Sequence, residues 1–224
     1  KDYDAIFLAP GLGAGRSLKL PGIEDAHVMD ALSFLKTYKQ EGKVDLKGKV
    51  LVIGGGSVAA DAASVAVKCG AENVSLVCLE SREEMPALKT EVEELLECGC
   101  VLENSWGPKE FSEGKLTCME CTSAFDENGN FAPKFNEQNI KEIQFDHIVM
   151  AIGQEIESNL AKYLEKEFGK ADLIEVDPET LQVKGKQNVY AGGDIIRGAG
   201  TVVEAVADGR RAAMVIHNKL INNK

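Results

Sequence analysis

The chain has 224 residues, 44% of them hydrophobic and 27% charged, with a formal net charge of −11 and a pI near 4.9. That length allows one or two domains around a sizeable core. The acidity speaks against nucleic acid and anionic membrane surfaces as partners, because the long-range field repels polyanions.

No apolar run approaches the ~20 residues that span a bilayer. The opening KDYDAIFLAP lacks the charged start and long apolar stretch of a signal peptide. Six cysteines (Cys69, Cys78, Cys98, Cys100, Cys118, Cys121) are unevenly spaced and fall mostly in apolar segments. In a chain of this length they point to a reduced, cytoplasmic protein rather than a disulfide framework. No initiator Met is present. The expectation is a fragment or a processed form.

In chain order, Asp4–Ala9 is expected to be a short strand that ends at Pro10-Gly11, followed by the Gly-rich loop GLGAGRSLKLPG. Val28–Tyr38 carries apolar residues at helical spacing. A polar connector leads to strand Val50–Ile53, turn Gly54-Gly55-Gly56 and helix Ser57–Lys68. Strand Val74–Leu79, helix Ala87–Cys98 with Gly99 at its end, and strand Val101–Glu103 follow. This β-α-β-α-β alternation predicts a parallel sheet covered by helices. Lys115–Phe125 and Ile143–Ile152 are expected as strands of a hairpin or meander, with the polar turn DENGN between them. The tail is expected to hold strand Val189–Ala191, a Gly-rich loop and a helix from about Thr201 to Leu220.

The segment VLVIGGGSVAADAA fits G-x-G-x-x-A with Gly54, Gly56 and Ala59. Gly54 allows the tight turn, Gly56 lets a pyrophosphate approach the backbone, and Ala59 lets the helix pack close to the sheet. Free N–H groups and the positive helix end at Ser57–Ala59 would then face an anion. The next strand leads into Glu80, whose carboxylate would accept hydrogen bonds from a ribose diol and repel a 2′-phosphate. This favours NAD(H) over NADP(H). Ser81 and Arg82 follow directly, and Arg82 could serve a 2′-phosphate instead.

Near the C-terminus, VYAGGD places Asp194 just past a strand, and GTVVEAVADG starts a helix with small residues at Ala205 and Gly209. A carboxylate there could hold a hydroxyl-bearing chain, and the helix start at Thr201-Val202 could stabilise negative charge.

The ordered set AIFLAPG, VLVIGGGSVAAD, SREEMPA, HIVMAIGQ and VYAGGD…GTVVEAVADGRRAA resembles the pyridine-nucleotide-dependent FAD oxidoreductases. Within them it is most similar to the glutamate synthase small-subunit branch, which includes the electron-entry region of dihydropyrimidine dehydrogenase. The resemblance covers nearly the whole chain. It implies an α/β fold in which a Rossmann-like parallel sheet, the NAD(P)-binding domain (28–153), is inserted in the C-terminal part of a second, FAD-binding Rossmann-like domain. Residues 1–27 would be a remnant of that FAD-binding domain and 154–224 its C-terminal part.

The resemblance further implies NAD(P) contacts from Gly54, Gly55, Gly56, Ser57, Val58, Ala59, Glu80, Ser81, Arg82 and Gly153. FAD contacts would come from Gly11, Gly193, Asp194, Gly200, Thr201, Val202 and Ala205, with Asp194 on the ribityl chain and Thr201-Val202 against the flavin ring. Asp61 would lie near the flavin–nicotinamide contact. Electrons would leave for a partner domain or subunit with iron–sulfur clusters or another flavin. Association with further copies of the chain stays open.

The chain departs from this pattern in three places. The family's first FAD turn and the Cys-rich iron–sulfur region before it are absent. Ala9-Pro10-Gly11 stands for an Ala-Thr-Gly. Leu79 and Glu80 stand where NADP-binding members carry two arginines. The expectation is therefore the C-terminal part of a longer flavoprotein or subunit. The alternative is a dinucleotide-binding module that cannot retain FAD and does not turn over alone.

A redox pair at Cys118 and Cys121 would make a disulfide reductase, but strand residues three apart point to opposite faces. Cys98 and Cys100 are expected to be packing cysteines, and no ligand set has zinc or cluster spacing. His27, His147 and His217 are scattered and suggest no catalytic triad. Glu91–Glu97 is expected as a solvated helix face, and Arg16 and Arg210 as surface residues that could reach phosphates.

Overall fold

The computed structural model describes residues 3–25, 27–168 and 173–222. The chain divides into two compact units: Gly15–Gly153 forms one, and Lys1–Ala14 joins Gln154–Lys224 in the other. Strand β1 (Ile6–Leu8) belongs to the second of these, and β2 (Ala14–Gly15) leads into the first.

The Gly15–Gly153 unit runs through β3 (Val28–Asp30), α1 (Ala31–Glu41), β4 (Lys49–Ile53), α2 (Ser57–Lys68), β5 (Asn73–Val77), α3 (Lys89–Glu97) and β6 (Val101–Glu103). It continues with β7 (Trp106–Ser112), β8 (Lys115–Phe125), β9 (Phe131–Gln144) and β10 (His147–Met150). Five strands form one parallel sheet in the order β3-β10-β4-β5-β6.

Successive strand residues point to opposite faces, and both faces of this sheet are apolar. Val50, Val52, Val74, Leu76 and Val149 face the helices. Five buried alanines of α2 (Ala59, Ala60, Ala62, Ala63, Ala66) let that helix lie close to the strands. Leu51, Ile53, Val77, Ile148 and Met150 face the other way, onto Phe111, Leu116, Ile143 and Phe145. Those residues belong to or flank the antiparallel sheet β7-β8-β9. Helices therefore cover one face of the parallel sheet and a small sheet covers the other, where the sequence pattern suggested helices alone.

Two expected elements differ in type. The helix begins at Ala31, not Val28. Val28 and Met29 pair with Ile148 and Val149, and Asp30 caps the helix by accepting from Ser33 N–H at 3.1 Å. The expected strand Ile143–Ile152 is two strands in two sheets. Between them Phe145 N–H donates to Gly114 O and Asp146 N–H to Lys49 O, while the Asp146 carboxylate accepts from Lys49 N–H at 2.7 Å. The hairpin partner of β8 is the longer, largely exposed β9, and Asp126 closes the turn by accepting from Asn128 and Asn130 N–H.

The first crossing between units lies at Ala14/Gly15, whereas the expected domain boundary followed residue 27. Leu18, Leu20 and Ile23 pack on the apolar cluster under the small sheet.

The other unit holds β11 (Gln154–Glu155), α4 (Ser158–Phe168), β12 (Val189–Ala191), α5 (Asp194–Arg197) and α6 (Val202–Asn222). β1 and β12 run parallel, with Phe7 opposite Tyr190. Its core gathers Ile156, Leu164, Ile174, Val183, Ala191 and Ile195.

Adjacent leucines of α3 separate burial from identity. Leu95 is 0% exposed and Leu96 48%. Chemical denaturation should show Leu95→Ala less stable by about 3 kcal/mol, and Leu96→Ala changed by no more than about 0.5 kcal/mol.

Candidate functional site

Within the Gly15–Gly153 unit the glycine turn lies at the C-terminal edge of the parallel sheet, between β4 and α2. Open parallel sheets bind ligands at that edge, where the strand order reverses. Here it reverses at β4: β5 and β6 extend one way, β10 and β3 the other.

Gly54 has φ +141, and a Cβ there would lie 2.2 Å from Ala151 O. Only glycine turns the chain that close to β10. Gly54 N–H donates to Val77 O and Ala87 N–H to Gly55 O, which fixes the loop. At Gly56 a Cβ would meet no protein atom within 4 Å. The space in front of it is open, as a backbone that receives a ligand requires. Gly56 caps α2 with no side-chain hydrogen bond. Among the described residues none accepts from Ser57 or Val58 N–H. These donors and the positive end of a twelve-residue helix suit a pyrophosphate. Ala59 is fully buried, and its N–H donates to Gly56 O at 2.9 Å, so of the expected free donors Ser57–Ala59 only Ser57 and Val58 stay open.

Glu80 comes to the same turn. A Cβ on Gly55 would lie 2.7 Å from Glu80 Oε2 and 3.1 Å from Cys78 Cβ. Ser81 is engaged by Glu84, whose carboxylate accepts from its N–H and its hydroxyl. Arg82 has no ion pair among the described residues. Gly153, at φ +111, has Arg16 beside it, and Arg16 N–H donates to Gly153 O at 3.0 Å. Asp61 lies on the exposed side of α2. Burial and the charge of Glu91 push its carboxyl above the usual range against the pull of Lys68.

In the other unit, Gly193 (φ 75) follows β12, and Asp194 opens the short α5. Asp194 Oδ1 accepts from Gly200 N–H at 3.2 Å. Thr201 and Glu204 form a reciprocal cap at the start of α6: Glu204 Oε2 accepts from Thr201 N–H, and Thr201 Oγ1 accepts from Glu204 N–H. Val202 is 80% exposed, and Ala205 is exposed beside Gly193. Gly11 (φ 69) and Gly200 lie in loops of this unit.

The sequence reading missed Asp208. It is 2% exposed, accepts from Gly193 N–H at 2.9 Å and pairs with Arg197. Burial raises its carboxyl, but Arg197, the Gly193 N–H and Arg211 outweigh burial and hold it below the usual carboxylate range. An acid inside ADGRRAA, among basic neighbours on a helix, gives no sign that it turns inward.

The cysteines stay unpaired. Cys118 and Cys121 are both buried, and Cys118 packs in the apolar cluster between the two sheets, of which Cys121 is not a member. Burial pushes the thiols of Cys78 and Cys118 up to about 12 and that of Cys100 to about 11. They remain protonated and poorly nucleophilic. His27 and His147 lie 6.3 Å apart between ring centroids, at the opposite, N-terminal edge of the sheet. His217 and Arg210 are exposed on α6. No group of metal-ligating side chains occurs among the described residues, and no described helix is long and apolar enough to cross a membrane.

Native-state alkylation should modify exposed Cys98 rapidly and reach Cys78 and Cys118 only after denaturation, as mass spectrometry of timed samples will show. For Asp208 the depressed carboxyl sets the sign of a second expectation. Its contribution is fully present above the unfolded carboxylate range, near pH 4, and is lost as pH falls through the lower folded value. Thermal melts at falling pH should show Asp208→Asn less stable than the parent at pH 7, with the gap closing below about pH 4.

The family described as pyridine nucleotide-disulphide oxidoreductase matches residues 1–209. The chain is 36% identical to the NADP(+)-dependent formate dehydrogenase subunit beta of Moorella thermoacetica, over 98% of this chain and 32% of that protein. It is 29% identical to the glutamate synthase (NADPH) small chain of Azospirillum brasilense, over 97% and 49%. It is also 29% identical to the NAD-dependent dihydropyrimidine dehydrogenase subunit PreT of Escherichia coli K12, over 96% and 47%. The chain thus spans about a third to a half of these curated relatives' length. Among solved structures, Mycobacterium tuberculosis FprA in complex with NADPH superposes with a TM-score of 0.74 at 16% identity, over 98% of this chain and 64% of that one. T. acidophilum thioredoxin reductase superposes at 0.67 and 18%, over 97% and 66%. The fold is that of these oxidoreductases, and the chain belongs to the pyridine nucleotide-disulphide oxidoreductase family.

Proposed function

We propose that the chain is the nicotinamide-receiving part of an NAD(P)H-dependent flavoprotein oxidoreductase, which passes electrons to a partner domain or subunit. FAD, when bound, would supply the redox chemistry, that of a hydride acceptor able to release electrons onward. The chain's residues hold and orient the nucleotides.

The observation that carries this reading is the turn at Gly54–Ala59, open at Gly56 and flanked by the Glu80 carboxylate. In it, Gly54, Gly55, Gly56, Ser57 and Val58 hold the pyrophosphate and Glu80 accepts from the adenosine ribose. Gly193, Asp194 and the start of α6 belong to the flavin contacts, with Asp208 and Arg197 holding the Gly193 backbone.

The preferred nucleotide is NAD(H). The loop Glu80-Ser81-Arg82-Glu83-Glu84 carries three carboxylates against one guanidinium. A 2′-phosphate would have to enter beside Glu80. The names of the relatives divide between the two nucleotides, so the preference rests on this chain's own residues. The partner is an electron-accepting domain or subunit carrying a cluster or a flavin; that three relatives are named as subunits or small chains supports the existence of a partner.

A second reading is a nucleotide-binding module that does not retain FAD. It is favoured by the exposed Val202, Val203 and Val206 at the start of α6. FAD titration followed by visible absorbance separates the two.

Fluorescence titration tests the first site. Gly56→Val should abolish saturable NADH binding with the melting temperature unchanged, since the new side chain fills ligand space rather than protein. Glu80→Ala should weaken NADH by about tenfold and leave NADPH unchanged or tighter. Equal affinities for the two nucleotides in the parent chain would refute the role given to Glu80.

A further inference from the structure

Glu80 lies beyond the last residue of β5, where a free loop would let its carboxylate wander. Instead, residues 78–80 are fastened to the segment after β6. Cys78 N–H donates to Glu103 O at 3.2 Å, Trp106 N–H to Cys78 O at 3.0 Å and Ser105 N–H to Glu80 O at 3.1 Å. The side chain of Asn104 adds two more bonds: its Nδ2 donates to Glu80 O at 3.3 Å and to Cys78 Sγ at 3.2 Å. The Cys78 thiol itself lies 3.5 Å from Glu80 O and donates to it. One backbone carbonyl thus collects three donors, on the residue whose carboxylate overhangs Gly55.

The fastening reaches further. Ser105 has φ 61, a left-handed conformation that a non-glycine residue rarely holds without support. That support comes from the small sheet, where Cys121 N–H of β8 donates to Ser105 O at 2.7 Å.

We propose that Asn104 is a positioning residue for nucleotide discrimination. Together with Ser105 it holds the Glu80 backbone so that the carboxylate meets the adenosine ribose and bars a 2′-phosphate. This rests on the reading of Glu80 as the ribose acceptor. Asn104 touches no nucleotide and acts only through Glu80. The side chain of Asn104 is half-buried, and its two Nδ2 hydrogens match the two acceptors, Cys78 Sγ and Glu80 O. An aspartate of the same shape offers no donor at pH 7 and would set a second negative charge near Glu80. The small sheet thereby acquires a role in the nucleotide site, through Cys121, Ser105 and the Glu80 carbonyl.

The test is a double-mutant cycle on the full chain, with NADH and NADPH dissociation constants for the parent, Glu80→Ala, Asn104→Ala and Glu80→Ala/Asn104→Ala. Asn104→Ala should shrink the NADH preference by about three- to tenfold, through weaker NADH binding. In the Glu80→Ala background it should leave the remaining ratio unchanged. Asn104→Leu, which keeps a similar shape but has neither donor nor charge, should shrink the preference as far, and it provides a second variant should the alanine fail to fold. Equal loss of both nucleotides in Asn104→Ala would reduce Asn104 to a general support of the fold and overturn the proposal. So would an undiminished effect in the Glu80→Ala background, since Asn104 would then act by another route. A parent without NADH preference, or a Glu80→Ala variant that keeps it, overturns the reading of Glu80 and this inference with it; the first two outcomes leave that reading standing.

Discussion

The approach of Gly54 to Ala151 is the constraint around which the larger unit is built. A single methyl at position 54 would sit 2.2 Å from the Ala151 carbonyl oxygen, so the chain can leave β4 there only as glycine. That departure sets where α2 starts and aims its unpaired N–H groups past the sheet edge. The alanine face of α2 then determines how near the helix axis lies to Val50, Val52 and Leu76. With a bulkier face the helix would ride higher, and its first turn would lift away from Glu80. Backbone sterics at one residue and small side chains at five others thus place the open helix start together, before any polar side chain is considered.

Around that turn the two faces of the sheet do different work. The helical face is a tight apolar layer rich in alanine and valine. The opposite face carries larger residues, among them Phe111 and Phe145, whose rings meet edge-to-face at 5.9 Å between centroids. The small sheet on that side is more than a lid over apolar surface. Its strand β8 reaches Ser105 by a backbone hydrogen bond, and Ser105 reaches Glu80. The small sheet and the Glu80 loop are therefore linked through main-chain bonds at Ser105, which any residue type could make, so the sequence of the connection carries little signal.

The parts legible in the sequence are those where one physical pattern dominates. β4, α2, β5 and α3 follow from apolar runs, glycine punctuation and helical spacing, and Gly54, Gly56 and Ala59 follow from the steric demands of a turn beside a ligand. The hidden parts are those where tertiary pairing overrides local preference. Val28 and Met29 look helical in isolation and become a strand because Ile148 and Val149 offer an edge. β9 lacks alternation because most of it is exposed, so neither face selects apolar residues. The break between β9 and β10 depends on Asp146 meeting Lys49, almost a hundred residues away. Asp208 and Asn104 were illegible for the same reason. Each is polar in an ordinary polar context, and only the fold brings it to a glycine N–H or a glutamate carbonyl. The place of Glu80 beside the turn was legible because its distance from the glycines is a local property of the βαβ unit; the bonds that hold it are not.

The hydrogen bond from Arg16 N–H to Gly153 O has a consequence of another kind. These residues stand at the two ends of the Gly15–Gly153 unit, and at 3.0 Å those ends touch. A unit whose entrance and exit coincide can be inserted into a host chain with little more strain than a short loop, however many residues it contains. To the rest of the polypeptide, some 140 residues count as a closed bulge. Such a unit is a natural cassette: it can be exchanged wholesale, by transplanting it between hosts, without redrawing the path of the chain that receives it.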